Sequence, residues 1–282
     1  MRLATFINPS GRECYGVVTP AGIIDLKRRL GGGYPDLRSL IAKNGLDQVR
    51  RHLADLPDHS ESEVTWLPVI PNPDKIICIG LNYEDHRIEA GLESTEHPAL
   101  FLRTAASQTG HRAPIVRPRE SGTLDYEAEI AVIIGRPGRR IPQATAWNHI
   151  AGYSCYNDGS IREWQRHTRQ YTAGKNFSQT GGFGPWMTTS DEIPPGTVLG
   201  LSCRLNGEVV QQSSTDQMIF SIPRLIEYVS TMTPLAPGDV IVTGTPAGVG
   251  ARRTPPIWMK PGDKVEVEVE RVGVLENVIV DD

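Results

Sequence analysis

Beyond residue 75 the sequence breaks into short runs rich in β-branched residues, each bounded by Gly, Pro or Asn, and this pattern constrains the fold more than any other feature. The runs "AEIAVIIG", "VLGLSCRLNGEVVQQ", "GDVIVTGTP" and "DKVEVEVERVGVLENVIV" all read as strands. In "KVEVEVE" strict alternation puts Val265, Val267 and Val269 on one face. Asn206-Gly207 between "LSCRL" and "EVVQQ" marks a hairpin, because both residues tolerate positive φ. Helices are few: "NYEDHRIEAGL", "IREWQRHTRQ" and "SIPRLIEYVSTM". The 28 Gly and 22 Pro are spread along the chain, which fits many strands joined by turns and argues against a helical bundle. The expected class is α+β, mostly β, with a larger rolled or barrel-like domain over residues 71–282 and helices at its margins.

Residues 1–70 read as a separate small α/β unit. "RLATFI", "YGVVTP" and "GIIDL" are strand candidates, and "YPDLRSLIAKNGLDQVRRHLADL" offers one or two helices with apolar residues three and four apart. The Pro-rich stretch "LPVIPNPDKI" (67–76) reads as the linker. A net charge of −4 over 282 residues gives no basic footprint, so no nucleic-acid partner is expected. No apolar run approaches the ~18 residues of a membrane span, and the N-terminus lacks a signal-peptide core. A cytoplasmic protein with no membrane partner is expected. Cys14, Cys78, Cys155 and Cys203 are scattered, without metal-finger spacing, and read as buried reduced thiols.

The chemistry collects in five segments. "LDYEAEIAVIIG" (124–135) starts acidic and ends as an apolar strand. Residues two apart in a strand share a face, so Glu127 and Glu129 are neighbours that repel unless a cation lies between them; the alternative is a solvent-facing strand edge. In "GLNYEDHRIEAGL" (80–92), His86 and Glu89 share a face if the segment is helical, as a tuned proton carrier or as a surface ion pair, and Gly80 and Gly91 would let it move as a lid. Asp158 in "YSCYNDGSIREWQ" is either a turn or cap residue or a third carboxylate ligand. Two Glu and one Asp, with no His or Cys, would select magnesium, calcium or manganese and leave about three coordination positions open. Lys175, set before a glycine-rich bend in "YTAGKNFSQTGGFGPW", either holds an anion or snorkels at the surface. "DVIVTGTPAGVG" runs into a Gly-rich turn whose N–H groups and hydroxyls suit an anion, but no nucleotide-binding motif is present.

The order GxNYxxHxxE at 80–89, ExE at 127–129, Asp158 in "NDGSIREWQ", "GKNF" and "GPW" at 174–186, "LNGEVVQQSSTDQMIF" and "PGDVIVTGTPAGVG" resembles the fumarylacetoacetate hydrolase family over roughly residues 70–282. The resemblance implies a mixed β-roll core, a homodimer, and Mg2+ or Mn2+ held by Glu127, Glu129 and Asp158, with Ca2+ able to substitute in crystals. It places His86 and Glu89 on a lid helix and the active-site lysine at Lys175. The glutamine of its "RDxQ" segment falls on Gln165, with Arg162 beside it, and its "TGTP" threonine falls on Thr245. Tyr83, Arg103, Arg162 and Thr245 are the expected substrate contacts, and the loop "SQTGGFGPW" is expected to line the pocket. Members often read "FxKP" where this chain has "FLRTAAS" (101–107), so Arg103 offers a planar fork in place of a point charge.

These residue types suit a 2-oxo or 2,4-dioxo acid, which chelates a hard cation through its carboxylate and keto oxygens. Water activated by His86, with Glu89 stabilising the imidazolium, would attack C4 of a 2,4-dioxo acid; the C3–C4 bond breaks, and the metal with Lys175 takes up the charge of the departing pyruvate enolate. The first expectation is therefore a C–C bond hydrolase of acylpyruvates. Decarboxylation of an oxaloacetate-type acid or enol–keto isomerisation is the alternative, and a non-catalytic binding protein on the same scaffold is a third reading.

Overall fold

The computed structural model describes residues 1–282. Its backbone is organised by the apolar run after Glu129. The strand Ala128–Ile134 is buried along its whole length. Ile130, Val132 and Ile134 pack into one core with Leu201, Cys203, Val265, Val267 and Val269, while Ala131 and Ile133 pack into a second core with Leu3, Leu40 and Val240. A strand apolar on both faces belongs in the middle of a layered protein, and this one lies in the middle of an 11-stranded mixed sheet.

On one side of it run Ile150–Asn157, Gly181–Thr189, Arg2–Ile7, Glu13–Thr19 and Gly22–Asp25; on the other run Val240–Val242, Ile76–Gly80 and Ala99–Arg103. A five-stranded sheet, in the order Glu208–Ser214, Gly200–Leu205, Lys264–Val269, Gly273–Asp281 and Ile115–Arg117, covers the first core. Val265, Val267 and Val269 face inward as the alternation predicts. The Asn206-Gly207 hairpin forms with φ of 54° and 87°. The helix Ile222–Met232 buries Leu225, Ile226 and Val229. Neither large sheet closes on itself, so the expected barrel is two open sheets.

Two further expectations meet a different structure. Residues 1–70 are not set apart: Arg2 and Leu3 pair with Thr188 and Met187, and Leu3, Leu37 and Leu40 share a core with Ile76 and Val240. The segment "IREWQRHTRQ" keeps only one helical turn, Arg162–Gln165, before bending to a second short helix at Thr172–Lys175. That bend turns the chain back so that Gly174 lies against Gln165, where a Cβ would stand 2.3 Å from the Gln165 nitrogen.

Candidate metal centre and active site

Glu127 and Glu129 stand at the entry to the central strand, on one face. Beside them the strand Ile150–Asn157 ends, with Ala128 opposite Asn157. Asn157 Oδ1 accepts from the Glu127 N–H at 3.0 Å, and the Asp158 N–H donates to the Glu127 carbonyl at 2.8 Å. This backbone lacing brings the third carboxylate to the first two. Ligand oxygens of Glu127, Glu129 and Asp158 lie within 4.8 Å of one another, and all three side chains are buried. Gly159 is needed for the turn that follows, since a Cβ there would meet the Thr180 carbonyl oxygen at 2.0 Å.

Three cations surround this cluster, unevenly. Lys175 Nζ donates to Glu127 Oε2 at 2.5 Å and to Asp158 Oδ2 at 2.6 Å. Arg162 Nη1 lies 2.7 Å from Glu127 Oε1, and its Nε donates to Asp125 Oδ2 at 2.8 Å. Arg103 Nη1 donates to Asp158 Oδ1 at 2.5 Å. Burial pushes Glu127 up, but Arg162 and Lys175 outweigh it and hold the carboxyl well below its usual range. Lys175 shows the same contest: burial disfavours its charge, while Asp158 and Glu127 hold its pKa above the ordinary lysine value. Glu129 has no cationic side chain in contact, only the Gly244 N–H donating at 2.5 Å. Burial, then the charges of Asp158 and Glu127, raise its pKa well above the carboxylate range. A buried carboxylate facing two others without its own counter-charge fits a hard divalent cation, and an oxygen-only donor set fits Mg2+ or Mn2+ better than zinc or copper.

The helix Glu84–Ala90 overlies this centre. Its start is pinned by Asn82, whose Nδ2 donates to the carbonyls of Thr243 (2.7 Å) and Phe220 (3.1 Å) while its Oδ1 accepts from Phe220 N–H at 2.8 Å. Gly91, at φ 69°, ends it in the left-handed conformation. His86 Nδ1 lies 2.9 Å from Glu89 Oε2, and Glu89 Oε1 accepts from the Gly248 N–H at 2.9 Å. Burial would raise Glu89, but its bonds to His86 and Gly248 win and lower its pKa. A carboxylate on Nδ1 fixes the imidazole and leaves Nε2 for proton transfer.

A cavity of about 300 Å³ opens beneath this helix, lined among others by His86, Glu127, Glu129, Lys175 and Thr245. That is the lower end of ligand-pocket sizes and suits a small molecule. Arg162 and Gln165 also line it; Gln165 Oε1 accepts from Arg162 Nη1 at 2.9 Å, and Arg162 Nη2 has no protein acceptor. Thr245 Oγ1 is held by Gln211 Nε2 at 2.8 Å.

Two expected substrate contacts lie elsewhere. Arg103 is fully buried behind Asp158, its guanidinium also bonded to Gly159 O, Ser107 Oγ and Thr180 Oγ1, and it does not line the cavity. Its planar fork braces the centre from behind. Tyr83 occupies the N-cap position of the overlying helix inside the core; it does not line the cavity, and its hydroxyl has no partner. The "SQTGGFGPW" segment is not a pocket loop either: Gly181–Thr189 is a strand, whose glycines admit Arg103 and Asn277, since a Cβ at Gly181 or Gly182 would stand 2.8 Å from their polar atoms. Asp125 received no role from the sequence, yet its carboxylate accepts from Arg162, Gly250 N–H and Ala251 N–H, tying the arginine to the Gly-rich turn. Its place two residues before the ExE pair was the only signal.

Comparison with known proteins gives a consistent result. The family described as "Fumarylacetoacetate (FAA) hydrolase C-terminal" matches residues 75–280. "Oxaloacetate tautomerase Fahd2a, mitochondrial" of Rattus norvegicus is 38% identical over 99% of this chain and 92% of its own. "Oxaloacetate tautomerase YisK" of Bacillus subtilis is 43% identical over 78% of this chain and 75% of its own. The crystal structure of maleylpyruvate hydrolase from Sphingobium sp. SYK-6, in complex with manganese(II) ion and pyruvate, superposes with a TM-score of 0.83 at 27% identity, covering 100% of this chain and 99% of that one.

Proposed function

This chain belongs to the fumarylacetoacetate hydrolase family, and from that premise we propose that it is a divalent-metal-dependent tautomerase that interconverts the enol and keto forms of a small 2-oxo acid. The observation that carries this reading is the pairing of one oriented proton carrier with one cation-fitting carboxylate cluster in a single small cavity. Glu127, Glu129 and Asp158 would hold Mg2+ or Mn2+. When bound, such an ion supplies Lewis-acid polarisation of the 2-oxo group.

The chain's own residues do the rest. His86 Nε2 takes the proton from C3 of the keto form, and Glu89 stabilises the imidazolium through Nδ1. The same proton returns to oxygen to complete the enol, or the path runs in reverse. Arg162 and Lys175 lie where negative charge develops, and their ion pairs to Glu127 and Asp158 keep both side chains in place. Thr245 and Gln165 line the same cavity and would offer hydrogen bonds to the acid.

Hydrolysis of an acylpyruvate is the second reading. The His86–Glu89 pair would equally activate water, and the similar Sphingobium structure is that of a hydrolase with pyruvate bound. Product analysis after incubation with the enol of oxaloacetate and with a 2,4-dioxo acid separates them. Tautomerisation leaves the mass unchanged, hydrolysis gives two acids, and decarboxylation releases carbon dioxide. Formation of two acids from the dioxo acid, with no acceleration of the enol–keto exchange, would replace the first reading by the second.

A further inference from the structure

The strand Glu208–Ser214 forms the outer edge of the five-stranded sheet, and of its seven residues only Gln211 is buried, at 2% exposure. An apolar side chain would be expected there, opposite Cys203, which packs in the core with Leu201 and Val265. A buried amide is costly unless its polar groups find partners. Here they do: Gln211 Oε1 accepts from the Ala128 N–H at 2.9 Å, while Nε2 donates to the Pro246 carbonyl and to Thr245 Oγ1, both at 2.8 Å.

These partners allow the amide one orientation. A backbone N–H only donates and a carbonyl only accepts, so Ala128 and Pro246 fix which end of the amide is oxygen and which is nitrogen. Both hydrogens of Nε2 are then engaged, one on each acceptor. Thr245 Oγ1 therefore meets Gln211 as an acceptor, and its own hydrogen points elsewhere; no acceptor of the chain receives it. Thr245 is 4% exposed and lines the cavity, so a ligand there is the acceptor it can meet. Packing holds the amide in place. Val210 is the extra residue of a bulge beside Gln211, and its carbonyl accepts from Arg253 Nη2 at 2.6 Å. Gly248 of the Gly-rich turn lies so close that a Cβ would stand 2.3 Å from the Val210 oxygen.

We propose that Gln211 is a positioning residue that fixes the Thr245 hydroxyl as a hydrogen donor toward the cavity, so that this point of the wall selects a ligand oxygen that accepts. Gln211 does not line the cavity itself and acts through Thr245. The role rests on the proposed binding of a 2-oxo acid and adds the device that sets the sense of one contact. The same amide bonds the Ala128 N–H, between Glu127 and Glu129, so the donor is held in register with the carboxylates.

A double-variant cycle tests this, with pyruvate as the probe. Its affinity for the Mn2+-loaded protein is measured by calorimetry in wild type, Thr245→Val, Gln211→Glu and the double variant. Glutamate keeps an acceptor for the Ala128 N–H but has no donor, so the Thr245 hydroxyl turns its hydrogen to the new carboxylate and shows the ligand only lone pairs. Thr245→Val should weaken pyruvate about tenfold, as expected for a hydrogen bond to a charged group, and Thr245→Ser should stay within about threefold of wild type. Gln211→Glu should weaken pyruvate at least about tenfold when Thr245 is present, and at least about fivefold less when it is already replaced by valine. The added charge repels the ligand in both backgrounds, so the cycle subtracts it. Should the charge prevent folding, the same cycle with Gln211→Met leaves the hydroxyl free to turn either way, and a coupling of the same sign but only about threefold is expected. Equal losses from the Gln211 substitutions with and without the Thr245 hydroxyl would overturn the role and reduce Gln211 to a brace between the sheets. Failure of wild type to bind pyruvate would instead remove the 2-oxo acid reading on which the role rests.

Discussion

Glu129→Gln should strengthen the metal-free protein and abolish its response to metal. Glu129 is 1% exposed, has no cationic partner, and faces Glu127 and Asp158 with ligand oxygens within 4.8 Å. At that separation and an effective dielectric constant of 20, each like-charge pair costs about 3.5 kcal/mol. Taking a proton limits the penalty, because burial and the two neighbouring charges raise the folded pKa. The sign follows: the unfolded carboxyl ionises at lower pH than the folded one, so the wild-type penalty grows as pH rises above the usual carboxylate range. It is capped near pH 7 at about 1.4 kcal/mol per unit of pH above that range, or roughly 3–4 kcal/mol. Glutamine keeps the shape and an acceptor for the Gly244 N–H without the charge. In chelator at pH 7, Glu129→Gln should therefore unfold in urea with about 1–3 kcal/mol more stability than wild type, and the gain should vanish toward pH 4. In Mn2+ at a hundred times its dissociation constant, wild type should gain about 2.7 kcal/mol and the variant almost nothing, so the order narrows or reverses. A variant less stable than wild type in chelator, or one that gains as much from Mn2+, would refute the view that this carboxylate is held against its neighbours for an ion.

Three further outcomes follow from the same geometry. His86→Gln should lower kcat for enol–keto exchange by about 10²–10⁴ while Mn2+ affinity by calorimetry stays within about twofold, and Glu89→Gln should give a smaller loss. Arg103→Ala removes one of two cations from buried Asp158 and should cost about 3–5 kcal/mol in urea unfolding, at any substrate concentration. His111 is buried edge-on against Trp66, its Nδ1 accepts from the Glu276 N–H, and burial pushes its pKa from 6.5 down to about 4. The unfolded chain takes up this proton first, so stability should be full above pH 6.5 and fall by up to about 3 kcal/mol as pH drops toward 4, a slope that His111→Gln should flatten.

Much of the centre was legible because its signals are local. Glu127 and Glu129 reveal themselves by strand parity, His86 and Glu89 by helical spacing, and the Asn206-Gly207 hairpin by its backbone demands. Three readings differ from the structure because the partners involved are remote in sequence. Arg103 reads as a substrate contact until Asp158, 55 residues on, is seen to claim it. Gly181 and Gly182 read as a bend, since nothing in the sequence shows that the Arg103 and Asn277 side chains crowd that strand. The pairing of Arg2 with Thr188 joins segments 186 positions apart, so a run of strands before a Pro-rich stretch looked like a separate unit.

The central claim, that three converging carboxylates hold one hard ion for proton transfer at His86, is tested most directly by following enol absorbance of oxaloacetate before and after chelation. Turnover should stop in chelator, return with Mg2+ or Mn2+, and leave a product of unchanged mass. Enol–keto exchange that continues at the same rate in the metal-stripped protein would contradict it.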